Sequence, residues 1–387
     1  MRDVVLINGR VMTDSGVKRG FAVRLTGDRI VSIGVEEEVT AGAQPQDLND
    51  GILLPGFIDV QVNGGGGVLF NDDPSVATIA RIGAAHRAFG TTGFLPTLIS
   101  DDMEKVALAI EATGEAIAQG VPGVLGVHIE GPFLNAEKKG IHDGSKMRRL
   151  DAAALDLLTS LPAGRMLVTL APEMTTPDTI ERLVRAGVIV SAGHSNADYA
   201  TVRAALDRGM SGFTHLFNAM SPLTSRYPGV VGAALMDTES WCGIIVDGQH
   251  IDPMTLKIAM KCRQLRHFML VTDAMPTVGT AAKEFVLQGR LIVCHGGACY
   301  DASGRLAGSN LDMATAVRNA ISMLDLSLSE ASAMASRNPA EFLQSHGQIG
   351  RIAPGYRADF VLVDDHLTVL DTWIGGVTTT RNGHVEH

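Results

Sequence analysis

The sequence predicts an α/β fold, a (β/α)8 barrel of the TIM type with a small β-sandwich domain formed by both termini. The first observation is that short apolar segments alternate with Ala-rich segments about eight times through the middle of the 387-residue chain. The second is that both ends alternate apolar and polar residues between turn signals, as short antiparallel strands do. The third is that 45% of the residues are hydrophobic, which provides enough core for a barrel.

The barrel strands are predicted from apolar runs, because parallel strands inside a barrel are buried on both faces. The predicted strands are 56–63, 93–97, 123–130, 166–170, 188–192, 212–215, 242–246 and 268–272. Helices are predicted between them from their apolar periodicity and from capping residues at their ends. Two examples are 103–118 and 197–207, the second preceded by Ser195 and Asn196 as N-cap candidates.

The two β-rich ends are predicted to form one small domain, because they flank a middle with a different pattern. We therefore predict a small β domain in two parts, residues 1–53 and 351–387, and a barrel domain over residues 54–350. The strand candidates of the C-terminal part are 359–364, 368–370, 372–376 and 381–384.

The charge balance limits the possible partners. The chain has 32 Lys and Arg residues against 42 Asp and Glu residues, a formal net charge of −10. This argues against a general binder of nucleic acid or of membrane surfaces. A small anionic substrate remains compatible, because a phosphate needs only one or two fixed cations and a few N–H donors.

The lack of targeting signals and the spacing of the cysteines predict a soluble, cytoplasmic protein. We find no apolar run of the roughly 18 residues that a membrane span needs and no signal peptide before the first strand. The four cysteines show no C-x-x-C spacing. We expect reduced and mostly buried thiols, with metal binding by Cys294 and Cys299 as the alternative.

Polar residues stand where most of the predicted strands end, and the βα loops of a barrel all open on that face. These residues are Gln61, Asn63, Glu130, His194, His215, Asp247, His250 and Asp273. Glu130, His194 and His215 provide two imidazoles and one carboxylate, the donor set of a catalytic divalent metal site with one position left open. The alternative for each residue alone is a hydrogen-bonded core side chain.

Two further residues near this set have different predicted roles. Asp273 ends the last strand, and we interpret it as the general base that takes a proton from water and returns it to the leaving group. Its alternative role is to hold a ligand imidazole. His128 shares a strand face with Glu130 because side chains repeat every two residues. It lies one layer deeper, and we interpret it as a supporting residue.

The most specific signals are eight segments between residues 54 and 309, in order PGFIDVQVNG (55–64), HIEGPF (128–133), KGIH (139–142), AGHS (192–195), THLFNAM (214–220), DGQH (247–250), VTDA (271–274) and LAGS (306–309). Taken together, they resemble the N-acetylglucosamine-6-phosphate deacetylase family of the amidohydrolase superfamily. The predicted β segments at both termini agree with this resemblance.

The resemblance implies hydrolysis of the acetamide of N-acetyl-D-glucosamine 6-phosphate to D-glucosamine 6-phosphate and acetate, in amino-sugar catabolism or recycling. It implies that Glu130, His194 and His215 bind the metal, that Asp273 is the catalytic acid and base, and that His142 polarises the substrate carbonyl. The implied substrate contacts are Ile141, His142, Asn218, Ala219, Arg226, Asp247, His250, Leu306, Ala307 and Gly308, with Arg226 and His250 on the phosphate.

The resemblance also implies a homodimer or a higher homo-oligomer, in which a neighbouring subunit supplies part of the phosphate site.

The residues near the metal differ from those of many amidohydrolases. Many amidohydrolases have His-x-His after the first strand, where this chain has Gln61 and Asn63, neutral amides that bind divalent ions poorly. We therefore expect one divalent ion per subunit, zinc or ferrous iron, with Gln61 and Asn63 near the site but not ligands.

Two alternative functions remain open from the sequence. Another amidohydrolase, such as a cyclic amidase or a deaminase, would use the same metal set without needing a phosphate site. A catalytically silent barrel that binds a phosphosugar would keep the fold without the reaction. Activity on phosphorylated against unphosphorylated substrate separates the first alternative, and metal-dependent acetate release separates the second.

Overall fold

The computed structural model describes residues 3–379. The strands in chain order are β1 Asp3–Thr13, β2 Gly16–Thr26, β3 Arg29–Val35, β4 Gln44–Asp47, β5 Ile52–Pro55, β6 Phe57–Val62, β7 Gly64–Gly65, β8 Val68–Leu69, β9 Thr91–Ile99, β10 Gly126–Glu130, β11 Arg165–Leu170, β12 Ile189–Ala192, β13 Gly212–Phe213, β14 Trp241–Ile244, β15 Phe268–Leu270, β16 Glu284–Leu287, β17 Arg290–His295, β18 Ala298–Asp301, β19 Leu306–Ser309, β20 Phe360–Val363, β21 Val369–Ile374 and β22 Val377–Thr378. The helices are α1 Glu36–Val39, α2 Val76–Arg87, α3 Met103–Ala118, α4 Ala152–Leu158, α5 Pro177–Arg185, α6 Tyr199–Leu206, α7 Gly229–Met236, α8 Pro253–Cys262, α9 Met313–Leu324, α10 Leu328–Ala335 and α11 Arg337–Phe342.

The centre of the molecule is a parallel barrel, which confirms the predicted fold class. Eight strands pair in the order β6, β9, β10, β11, β12, β13, β14 and β15. The chain after β15 returns to β6, where the Asp273 N–H donates to the Gln61 carbonyl over 3.0 Å and the Asn63 N–H donates to the Ala274 carbonyl over 3.0 Å. Each barrel strand coincides with one of the eight predicted runs, because burial on both faces leaves an apolar sequence signal.

Helix positions follow the capping chemistry. α3 spans Met103–Ala118, the predicted range, and Gly120 follows it in the left-handed conformation. α6 begins at Tyr199, later than predicted, because the side chain of Asp198 accepts the Thr201 N–H and forms the N-cap. The prediction that Ser195 and Asn196 cap this helix is therefore wrong.

The small β domain combines both ends of the described chain. One sheet pairs its strands in the order β22, β21, β20, β5, β1, β2 and β3, with β4 beside β1. Its own apolar core includes Leu6, Val23, Phe360 and Trp373, all buried. The predicted strand 381–384 lies outside the described residues, and the division of the chain at residues 53 and 350 stays a prediction.

A third sheet follows the barrel and was not predicted. β16 to β19 pair antiparallel in sequence order and pack on Leu69, Ile99, Ile141 and Met275. The segment LAGS (306–309) forms the last strand of this sheet. The sheet therefore extends the rim of the barrel at the end where the polar residues converge.

The cysteine prediction was wrong for one pair. Cys294 of β17 lies directly opposite Cys299 of β18, and the two form a disulfide. Strand pairing decides this bond, because the register of the hairpin brings the two residues together. Cys242 is a buried free thiol and Cys262 an exposed one.

Candidate active site

A cavity of about 370 Å³ opens at the carboxyl ends of the barrel strands. The residues that line it are Ile99, Glu130, Glu137, Lys138, Gly140, Ile141, His142, His194, His215, Asn218, Ala219, Ile245, His250, Asp273, Met275, Arg305, Leu306 and Gly308. The predicted convergence of strand-end residues is therefore present. A cavity of this size accommodates a small molecule.

Glu130, His194 and His215 meet at the base of this cavity. Glu130 Oε1 lies 2.9 Å from His215 Nε2 and 3.1 Å from His194 Nε2. The two Nε2 atoms are 3.0 Å apart, and all three side chains are buried. Each residue comes from a different strand end, Glu130 from β10, His194 after β12 and His215 after β13.

The chemistry of these three donors fits a cation. His194 Nδ1 lies 2.8 Å from the Lys138 carbonyl oxygen, which can only accept, so Nδ1 carries the proton of the neutral ring. The Nε2 lone pair of His194 then faces a carboxylate oxygen and a second imidazole nitrogen. A divalent cation or a proton is required to make this contact favourable, and backbone-fixed imidazoles of this kind are typical of metal ligands.

The charge state of Glu130 agrees with that requirement. Burial opposes ionisation of its carboxyl, but hydrogen bonds with His194 and His215 hold its pKa well below the usual range. Burial also lowers the pKa of His215, yet its hydrogen bond with Glu130 leaves that pKa raised overall. The site therefore holds a carboxylate whose charge must be matched by a positive partner.

The backbone at this end of the barrel is strained. His194, His215 and Asp273 have positive φ angles of 48°, 34° and 52°. Such conformations cost about 1–3 kcal/mol each in residues other than glycine and persist where the surrounding structure imposes them. All three stand directly after barrel strands, so the strain is concentrated at the residues that line the cavity.

Asp273 lies beside the first strand, between two amides. Its Oδ1 accepts from Asn63 Nδ2 over 2.6 Å and from Gln61 Nε2 over 3.2 Å. The same Gln61 Nε2 also donates to Glu130 Oε2 over 3.1 Å. Burial, with the charge of Glu130 nearby, raises the pKa of Asp273 to about 6. Both amides act here as donors to carboxylates, which is the opposite of the role of a metal ligand.

His142 faces the same space from the loop after β10. Its Nδ1 accepts the Ser100 backbone N–H over 3.3 Å and lies 2.8 Å from Ser100 Oγ. Burial and the adjacent His194 ring hold the pKa of His142 well below its usual range. The neutral ring therefore carries its proton on Nε2, as a hydrogen-bond donor toward the cavity.

Ser100 was missed in the sequence analysis. It follows β9, which precedes the strand of Glu130. No polar residue at the end of this strand was considered. Its position after a predicted strand was a usable signal. It contacts His142 Nδ1 through its backbone N–H and its hydroxyl, and this contact could not be identified from the sequence because it depends on the tertiary fold.

The predicted substrate contacts separate into three groups. Ile141, Asn218, Ala219, His250, Leu306 and Gly308 line the cavity together with His142. Asp247 lies behind His250 and is 2.6 Å from its Nδ1, and Ala307 is fully buried in the core beneath the rim. Arg226 is exposed on the loop before α7 and lines no part of this cavity within the chain.

His128 lies beneath the site in the barrel interior. Burial lowers its pKa to about 4, so the ring is neutral. Its Nδ1 donates to the Val60 carbonyl over 3.0 Å, and its Nε2 accepts from the Thr169 hydroxyl over 2.7 Å. Thr169 in turn lies 2.6 Å from the Thr214 hydroxyl. His128 is thus part of a buried polar layer that supports the strands of Glu130 and His215.

Comparison with known proteins gives one family and one group of enzymes. A model of the amidohydrolase family matches residues 52–380. An N-acetylgalactosamine-6-phosphate deacetylase of Shewanella sp. (strain ANA-3) is 45% identical over 378 residues, covering 97% of this chain and 96% of the relative. An N-acetylglucosamine-6-phosphate deacetylase of Haemophilus influenzae is 36% identical over 374 residues, covering 96% of this chain and 98% of the relative.

Solved structures give the same grouping. The crystal structure of an N-acetylglucosamine-6-phosphate deacetylase from Pasteurella multocida aligns with a TM-score of 0.94 at 35% identity, covering 97% of this chain and 99% of that chain.

Within residues 3–379, none of the helices has the length and apolar character needed to cross a membrane.

Proposed function

The chain belongs to the amidohydrolase family, and we propose that it hydrolyses the acetamide of N-acetyl-D-glucosamine 6-phosphate to D-glucosamine 6-phosphate and acetate. One observation carries this proposal. The cavity holds a buried carboxylate and two imidazoles that require a cation. Beside them stand a carboxyl with a pKa of about 6 and a neutral imidazole that donates into the same cavity. These are the groups that amide hydrolysis needs.

Glu130, His194 and His215 would hold one divalent ion per chain, zinc or ferrous iron. When bound, that ion supplies Lewis-acid polarisation of a carbonyl and lowers the pKa of a water molecule. The count of one rests on Gln61 and Asn63, since both amides donate to carboxylates and neither offers an anionic ligand. Two tightly held ions per chain in elemental analysis would contradict this count.

The reaction follows from the orientation of His142 and Asp273. His142 Nε2–H donates to the acetamide oxygen and continues to donate as negative charge develops on that oxygen. Asp273, as the carboxylate, accepts a proton from the water whose oxygen attacks the carbonyl carbon. The protonated Asp273 then gives this proton to the sugar nitrogen as the C–N bond breaks. The other proton of the water stays on the acetic acid formed and passes to the amine, so the products are acetate and an ammonium group.

The phosphate is proposed to lie toward His250 and Arg226. His250 is fixed by Asp247, 2.6 Å from its Nδ1, which leaves Nε2 directed to a ligand. Arg226 stands on an exposed loop, where it would reach the phosphate site of a second copy of the chain. Exposed Leu223, Tyr227 and Met236 surround that loop and support a homodimer or a larger homo-oligomer.

A second substrate is favoured by a specific observation, because the 45% identical relative is named for N-acetylgalactosamine 6-phosphate. The two hexosamines differ only in the configuration at C4, far from the acetamide. The proposed mechanism is the same for both, and the assay must include both. A cytoplasmic location remains part of the proposal.

The test measures acetate release from four substrates, the two N-acetylhexosamine 6-phosphates and their unphosphorylated forms, with and without a chelator. We expect metal-dependent release from at least one phosphorylated sugar and a much lower kcat/KM without the phosphate. Equal activity on unphosphorylated sugars would favour another amidohydrolase. No acetate release from any of them with metal bound would favour a silent binding barrel.

A further inference from the structure

A second cavity, of about 350 Å³, lies at the opposite end of the barrel. It is bordered by Pro55, just before β6, and by Leu265 and Arg266, just before β15, so it opens at the amino ends of the strands. The remaining walls come from the small β domain and from α10 and α11. This cavity shares no residue with the candidate active site.

Positive charge predominates on its walls, although the whole chain carries a formal net charge of −10. The lining contains three guanidinium groups, those of Arg266, Arg337 and Arg351, against the carboxylates of Asp14 and Glu330. An arginine cluster of this kind matches the geometry of phosphate oxygens.

The ion pairs of these groups leave one arginine free for a ligand. Arg351 is 3.1 Å from Asp14 and 3.5 Å from Glu341, and Arg337 is 3.9 Å from Glu341. Glu330 is occupied by the N-cap of α10, where its carboxylate accepts the hydroxyl and the N–H of Ser327 over 2.6 Å and 2.8 Å. Arg266 is exposed and makes no ion pair within residues 3–379. Its guanidinium is therefore available to an anion that enters the cavity.

Two buried polar atoms at the cavity wall have no partner among the described residues. They are Ser332 Oγ and Asn338 Oδ1, on side chains that are 0% and 1% exposed. The orientation of the Asn338 amide is fixed, because its Nδ2 donates to the Phe268 carbonyl over 2.7 Å. Asn338 Oδ1 is then an acceptor that needs an O–H or N–H donor, and leaving it unpaired is costly.

We propose that this cavity is a second binding site, for a small phosphorylated sugar. The phosphate would pair with Arg266, and sugar hydroxyls would donate to Asn338 Oδ1 and bond to Ser332 Oγ. The volume supports a ligand of this class, because it is close to that of the cavity proposed for the phosphosugar substrate. Only the walls of this cavity support the second site, which does not depend on the proposed reaction.

Binding here would also connect the two parts of the molecule. Asp14 lies in the turn between β1 and β2 of the small β domain, whereas Ser332 and Asn338 belong to helices of the barrel. A ligand that contacts both sides binds the folded form only, and it raises the midpoint of thermal unfolding by mass action.

The test titrates glucose 6-phosphate, which has no acetamide, into the metal-loaded protein by calorimetry. We expect two classes of site per chain in the wild-type protein. Arg266→Ala should weaken one class about tenfold, the loss of one charged hydrogen bond, and Arg266→Glu should abolish it. Because Arg266 is exposed, both variants should fold. Arg182→Ala, at an exposed arginine of α5, is the matched control and should bind as the wild type does.

Two further arms separate the outcomes. Turnover of the Arg266 variants should stay within about twofold of wild type, which places the lost site outside the active site. Glucose should not bind at the second site, and inorganic phosphate should compete weakly. Unchanged binding of glucose 6-phosphate by Arg266→Glu would overturn the proposal. Tight binding of inorganic phosphate without binding of glucose 6-phosphate would overturn the assignment of a sugar ligand.

Discussion

The two ends of the barrel carry cavities of almost equal volume, about 370 Å³ at the carboxyl end and about 350 Å³ at the amino end. Volume therefore does not identify the reaction site. At the carboxyl end, Glu130, His142 and Asp273 are buried and their pKa values are shifted by burial and by one another. At the amino end, the charged groups are arginines and carboxylates that are exposed or only partly buried.

The difference lies in what each end can do with a proton. Burial raises the pKa of Asp273 to about 6, so this carboxyl can exchange a proton near neutral pH, whereas guanidinium groups stay charged and can only bind. The strained backbone at His194, His215 and Asp273 strengthens this contrast, because strain of this kind collects at functional sites. We therefore assign chemistry to the carboxyl end and binding to the amino end.

The largest expected effect is the loss of the cation at the carboxyl end. Glu130→Gln should remove most bound metal and lower turnover about 10³-fold or more, since Lewis-acid stabilisation contributes several kcal/mol. The matched variant at the amino end is Glu330→Gln, which keeps the capping oxygen and should change neither property. Metal content and acetate release are measured on the same samples. Full metal content in Glu130→Gln would contradict the assignment of this residue.

The next effect concerns the phosphate. His250→Asn should lower kcat/KM for the phosphorylated substrate about 10- to 100-fold, the usual cost of a lost hydrogen bond to a charged group. It should leave the slow reaction of the unphosphorylated sugar nearly unchanged, because that substrate offers no phosphate to His250. A similar loss with both substrates would show that His250 supports the fold or the catalytic groups instead.

The pH dependence of turnover should show an acid limb from Asp273. Asp273 accepts a proton only as the carboxylate, so activity falls as the pH drops through its pKa. Burial raises that pKa to about 6 in the protein without a cation, and a nearby cation lowers it. We therefore expect kcat to be constant near pH 7.5 and to decline at or below about pH 6. A flat profile down to pH 4.5, with metal content constant, would contradict this role.

The smallest effect is expected in the polar layer beneath the site. Thr169→Val removes the hydroxyl that His128 Nε2 accepts from, but it keeps the shape of the side chain. We expect a loss of about 1–3 kcal/mol in the free energy of unfolding, because an acceptor is left unpaired in the core. Turnover should fall less than tenfold. A loss of turnover as large as that of Glu130→Gln would place this layer in the reaction itself.

The barrel and the cluster of Glu130, His194 and His215 could be predicted from the sequence because both depend on local pattern. Strands buried on both faces are apolar runs, and strand ends in a barrel face one cavity, so Glu130, His194 and His215 were identified together. His142 and the substrate contacts came from the resemblance to a family. Among these, Asp247 and Ala307 lie behind the cavity wall, and Arg226 is exposed on a loop that the single chain does not bring to the cavity.

The features that were missed depend on tertiary geometry. Ser100 contacts His142 through its backbone N–H and its hydroxyl, and only the tertiary fold brings these two residues together. The disulfide between Cys294 and Cys299 follows from the register of β17 and β18. In the sheet from β16 to β19, apolar and polar residues alternate only weakly, and apolar residues such as Val286 and Leu291 are exposed. The sequence pattern therefore did not distinguish these strands from loops.

The most direct test of the central claim compares Asp273→Asn, at the carboxyl end, with Asp14→Asn, at the amino end. Acetate release from the phosphorylated substrate and metal content are measured for both. We predict that Asp273→Asn keeps its metal and binds substrate but loses about 10²- to 10⁴-fold in turnover, the range for a general acid–base group, while Asp14→Asn turns over normally. Near-normal turnover of metal-loaded Asp273→Asn would contradict the account.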